Sequence, residues 1–120
     1  MPWFRIGWLL CAAAGLFPMV MGSFWMTNTL MGEGTDTRVL GLYQIGSANL
    51  VATGASITTL SVFGIRRGLR WCHVYVGVVL LVIGINDLLA ALSFDYFPMP
   101  IFPMLLGGTG WALCFHSVWR

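Results

Sequence analysis

The 120-residue chain is 58% apolar and 8% charged, whereas roughly a quarter of the residues in a soluble domain are charged, and this excludes an ordinary water-soluble globule. Its formal net charge of +2 includes six basic residues, all arginine, at positions 5, 38, 66, 67, 70 and 120. They form no basic stripe with interleaved aromatics, so nucleic acid is not expected as a partner.

In chain order, the first apolar run predicts a helix from about Ile6 to Met26, with Trp3, Trp8 and Trp25 at its ends as in an interfacial aromatic belt. Arg5 followed by IGWLLCAAAG imitates a signal peptide, but the run continues through Phe17, Val20 and Trp25, and a large Leu10 precedes Cys11. The segment is therefore expected to be an uncleaved first membrane helix, bent at Pro18, a distortion that neighbouring helices accommodate. The polar connection Thr27 to Thr37 carries Glu33, Asp36 and two glycines.

A second helix, about Val39 to Gly64, is the most polar. At about 100° per residue, Gly46, Asn49, Thr53, Ser56 and Leu60 share one side and Ser47, Gly54, Thr58 and Ser61 another. Most of its circumference is expected to meet protein, because small and hydroxyl residues let membrane helices approach closely. The basic loop Ile65 to Arg70 leads into a third helix, about Trp71 to Leu92. Its run from Val74 to Leu92 is broken only by Asn86 and Asp87 and is long enough to cross a bilayer. After a connection rich in proline and aromatics, a fourth helix runs from about Ile101 to Trp119. Pro103 lies in its first turn, and Gly107, Gly108 and Gly110 offer a close-packing surface.

With both termini cytoplasmic, Arg5, Arg66, Arg67, Arg70 and Arg120 lie inside and only Arg38 outside, together with Glu33, Asp36 and Asp95. This is the positive-inside pattern. The expectation is an all-α fold: one integral membrane four-helix bundle, N-in/C-in, with the lipid bilayer as its first partner.

Two constellations stand out. In the outer half, a carboxylate in an apolar segment is a default candidate site. Asp87 shares a face with His73, Gly77 and Gly84, and Asn86 projects about 100° away. Gln44 lies at a similar depth on the second helix, and Ser47, Ser23 and Thr27 could complete a polar cluster for a small ligand. The alternative is that Asp87 is satisfied by Gln44, Ser47 or a capping contact and only fixes packing. On the inner side, Cys11, Cys72, His73, Cys114 and His116 lie at matching depth, with ligand types suited to zinc, copper or haem. Adjacent Cys72 and His73, and Cys114 and His116 two apart, do not chelate from one helix face, so no metal or cofactor is expected. The three cysteines do not suggest a disulfide framework either. No nucleophile, Walker, dinucleotide or zinc-protease motif is present, which points to a non-enzyme.

Three features, Asp36-Thr37-Arg38-Val39-Leu40-Gly41-Leu42-Tyr43 with Gly46 after it, the basic Arg66-Arg67-Gly68-Leu69-Arg70, and the exit Gly84 to Asp95 followed by prolines, give most of residues 36 to 120 a resemblance to a known group. The chain resembles small bacterial four-helix membrane proteins, the DoxX-like and related uncharacterised families. The resemblance implies a four-span architecture in the bacterial inner (plasma) membrane; those families have mostly no assigned activity. The expected function is that of an accessory or structural subunit of a membrane assembly, associating with other membrane subunits or with itself. The alternatives are a small-ligand carrier or transporter with an outward pocket around Asp87 and, third, a haem- or metal-binding redox protein.

Overall fold

Apolar runs of this length can satisfy their backbone amides and carbonyls away from water only by closing the hydrogen-bond ladder within each segment, which makes them helices. The computed structural model of the chain describes residues 2–31, 37–94 and 101–120. Among these are four helices, α1 (Pro2–Met31), α2 (Thr37–Phe63), α3 (Arg70–Phe94) and α4 (Ile101–Val118), with one 3-10 turn, Ile65–Arg67, between α2 and α3. The first three exceed the lengths expected from their apolar cores, because flanking polar residues continue the same ladder. Pro18 lies inside an α1 that stays one helix. The acids Glu33, Asp36 and Asp95, and the side chains of Trp25 and Arg38, lie outside the described residues.

Among the described residues three segments are long and apolar enough to cross a membrane: Pro2–Phe24, Gln44–Arg67 and Arg70–Leu89. The 18 residues of α4 rise about 27 Å at 1.5 Å each, close to the roughly 30 Å hydrocarbon core. The distribution of side chains is inverted relative to a soluble bundle. Large apolar groups such as Leu9, Val20, Leu81, Leu88 and Phe102 point outward, while Cys11, Ala14, Ser47, Ser61 and Cys114 are buried. Such continuous apolar exteriors are not tolerated in water but suit lipid, where close packing of small residues replaces a greasy core.

The helices alternate in direction. Gly22 meets Ser47 while Gly15 meets Gly54, so α2 runs antiparallel to α1; Gly7 meets Gly110 while Ala14 meets Gly107, so α4 does too. Gly77 against Trp111 and Gly84 against Met104 make α3 and α4 antiparallel. Both termini and the 3-10 turn consequently share one end of a body measuring 55 × 28 × 20 Å.

The spine of the bundle is α1, which crosses α2 and α4 at two glycine pairs. A Cβ on Gly15 would stand 2.6 Å from the carbonyl oxygen of Gly54, and one on Gly110 would stand 2.5 Å from that of Gly7. Only hydrogen atoms fit at these crossings. At the first, Thr58 Oγ1 donates to the Ala12 carbonyl at 3.1 Å; at the second, Cys114 Sγ approaches the Phe4 carbonyl at 3.9 Å. The buried core, Cys11, Ile57, Ile65, Cys72, Val76, Leu80, Cys114 and Val118, begins at the 3-10 turn. Ile65 plugs that end, and Gly68 closes the turn in the left-handed region at φ 75°, donating to the Ile65 carbonyl.

Candidate functional site

At the end of the bundle that holds the 3-10 turn, α3 carries one fully buried polar side chain among its described residues, His73. A buried imidazole must have partners for both ring nitrogens, and α4 supplies them. Trp111, Phe115 and Trp119 recur every four residues, so they form one stripe along α4. The Trp111 indole stacks on the His73 ring with centroids 4.6 Å apart and planes 9° apart, and Phe115 closes the edge at 5.9 Å. Trp111 Nε1 donates to the His73 carbonyl at 2.8 Å. Trp119 Nε1, which can only donate, reaches His73 Nδ1 at 3.2 Å. Nδ1 is therefore the acceptor, and Nε2, 2.9 Å from the Trp111 carbonyl, carries the hydrogen and donates. Stack and hydrogen bonds contribute about 1 kcal/mol each, and together they clasp α3 to α4.

This clasp removes His73 from the inner metal constellation, because the lone pair that would coordinate a metal already accepts a hydrogen bond. His116 sits exposed on α4, and the buried Cys11 thiol lies 3.6 Å from the Gly107 carbonyl. Cys72 is buried against Gly64 on the α2 side. All three cysteines are free thiols, and among the described residues no three His, Cys, Asp or Glu side chains gather to hold a metal ion.

Toward the opposite end of the bundle, Asp87 continues the inward face of α3 that holds His73, Val76 and Leu80. Its Oδ2 atom is buried and has no hydrogen-bond partner among the described residues. The proposed companions are dispersed. Asn86 and Gln44 are exposed. Ser47 is buried on the α1 side of α2, where its carbonyl faces Gly22. Ser23 is exposed and donates to the Met19 carbonyl of its own helix at 2.8 Å, and Thr27 does the same to Ser23 at 2.9 Å. Among the described residues no hydrogen bond joins Ser23, Gln44 or Asn86 to Asp87.

The polar helix α2 divides into two sides. Ser47, Gly54 and Ser61 are buried, whereas Ala48, Asn49, Ala52 and Thr59 are exposed, and a Cβ on Gly46 would meet nothing within 4 Å. Within one chain, then, only one side of α2 meets protein, narrower than its composition suggests. A shallow groove of about 550 Å³ also runs along the outside of α4 between Met104, Gly108 and Ala112.

Sequence reasoning did not find the aromatic clasp. Its trace was the four-residue spacing of Trp111, Phe115 and Trp119, legible as a stripe but silent about which helix it would cover. In comparisons with known protein families, curated proteins and solved structures, nothing matches this chain.

Proposed function

We propose that the chain is an integral membrane protein of four spans with cytoplasmic termini, and that it serves, without chemistry of its own, as a structural subunit of a larger membrane assembly. The exposed side of α2 supports this reading most directly. Ala48, Asn49, Ala52 and Thr59 lie on the outside of a segment apolar enough to cross a bilayer. Asn49 sits about 7.5 Å inside that segment, counted from Gln44. Hydrocarbon offers its amide no partner, whereas a neighbouring helix does, and the alanines let that helix come close. Cross-linking in native membranes tests this directly: the wild-type chain is expected to join a second subunit, its own copy or another, and Ala52→Leu to reduce the product several-fold. Recovery of monomer alone from the wild type would remove the reading.

A second reading, a carrier with an outward polar pocket, is favoured by one observation, the buried Asp87 Oδ2 with no hydrogen-bond partner among the described residues. A small polar molecule retained through purification in mild detergent, and lost in Asp87→Asn, would support it. Wild-type retention or flux in that variant would exclude it.

A further inference from the structure

We propose that the arginines at the 3-10 turn form a binding site for the phosphate of an anionic phospholipid headgroup. The inference rests on the membrane-spanning reading above but not on assembly. The antiparallel topology brings the start of α1, the turn Ile65–Arg67, the start of α3 and the end of α4 to one end, and with them Arg5, Arg66, Arg67, Arg70 and Arg120, all exposed. Among the described residues no acidic side chain lies at that end. Of the four acids, Glu33, Asp36 and Asp95 belong in sequence to the other two connections, and Asp87 lies about 25 Å along α3 from Arg70 at 1.5 Å per residue.

Two of these guanidinium groups are held in place. The Arg66 guanidinium carbon lies 5.5 Å from the Trp8 ring centroid, and that of Arg70 lies 5.6 Å from the Trp119 ring centroid. Arg70 Nε also donates to the Val118 carbonyl at 3.4 Å. The backbone beneath them is fixed by the buried Ile65 and the left-handed Gly68. Contact with an indole occupies the face of a guanidinium and leaves its in-plane N–H groups free. Those of Arg66 all stay available, and Arg70 keeps its terminal ones. A planar fork of this kind matches the paired oxygens of a phosphate, and fixing it beforehand lowers the entropy lost on binding. The exposed Trp3 and Trp71 belong to the same end, the level at which tryptophans mark the headgroup region. At that depth the chemistry meeting unneutralised arginines is the lipid phosphate, with the negative potential of an anionic leaflet adding to it.

The test is native mass spectrometry of the full chain in zwitterionic micelles, titrated with phosphatidylglycerol or phosphatidylcholine. Phosphatidylglycerol is expected to bind about ten-fold tighter, with R66Q/R70Q abolishing the preference and R38Q, at the other end of the chain's first connection, retaining it. Equal binding of the two lipids, or an undiminished preference in R66Q/R70Q, overturns the site. If R66Q/R70Q does not fold, R66K/R70K keeps the charge but loses the fork; a several-fold fall in the preference is expected, and no change overturns the proposal. Displacement of the bound lipid by millimolar glycerol phosphate would assign the pocket to a soluble phosphate and overturn the lipid assignment. A chain that reconstitutes into bilayers without headgroup preference refutes this site alone, whereas one that does not enter bilayers at all refutes the membrane reading and the site with it.

Discussion

His73 and Trp111 hold each other reciprocally: the Trp111 indole donates to the His73 backbone carbonyl, the His73 imidazole donates to the Trp111 backbone carbonyl, and the two rings lie stacked 4.6 Å apart. Each side chain adds a bond to the other residue's helical carbonyl. A pair built this way resists shear between α3 and α4, since sliding either helix breaks both bonds. His73→Leu removes the stack and both ring-nitrogen bonds, leaving the Trp111 carbonyl with its own helix and the partly exposed Trp119 indole with its surroundings, and should destabilise the fold by about 2–3 kcal/mol. Denaturation in mixed SDS micelles measures this. Trp111→Phe should cost less, about 1–2 kcal/mol, because a ring remains to stack while the indole donor is lost. A stability of His73→Leu equal to wild type would mean that the clasp does not carry the α3–α4 contact.

The glycines divide into two classes with opposite expected signs. Gly15→Ala places a methyl group against the Gly54 carbonyl and Thr58, where both backbones would have to shift, so it should destabilise by about 1–3 kcal/mol. Gly46→Ala and Gly108→Ala add a methyl where nothing stands within 4 Å. These should be neutral or stabilising by up to about 1 kcal/mol through helix propensity. The same unfolding assay on all three variants checks the sign, and equal effects would contradict the close crossing of α1 and α2.

Asp87 offers a stability measurement independent of any ligand. Its Oδ2 is buried with no partner among the described residues, so Asp87→Asn removes no hydrogen bond at that atom and takes away an acid that would be costly to bury ionised. Stability should stay within about 1 kcal/mol of wild type or rise. A loss of about 3 kcal/mol or more would reveal a structural partner for the carboxylate and favour a packing role over a pocket.

For the Cys/His constellation, the expectation is that the chain does not shift the Soret band of added haemin from its position in empty micelles and that added zinc leaves the unfolding midpoint unchanged. His73 has both nitrogens engaged, and His116 faces outward on α4. His116→Ala should alter stability by no more than about 0.5 kcal/mol, as for other exposed positions. A midpoint that rises with zinc and loses that rise in His116→Ala would overturn this.

Much of the architecture is legible in the chain itself, because helix formation in an apolar medium depends on local composition. Runs such as Val74 to Leu92, and arginines confined to their ends, suffice to locate four helices and to put five of six arginines with both termini. The identity of the partners is another matter. The run Val74 to Leu92 is legible as a span, yet α1 is the spine, because at its Gly7, Gly15 and Gly22 a neighbouring backbone comes within 3 Å of a missing Cβ. Nearly every helix offers glycine or alanine surfaces, and the sequence holds no code for which of them meet. The polar cluster around Asp87 shows the same gap: depth along a helix follows from counting residues at a constant rise, whereas direction and distance across the bundle follow from packing, which left Gln44 and Asn86 exposed and Asp87 Oδ2 with no partner among the described residues. His73 shows it most plainly. Depth along the helices set it level with Cys11, Cys72, Cys114 and His116, and only the tertiary structure, by laying the Trp111 to Trp119 stripe over it, decided that both its nitrogens serve to hold two helices together.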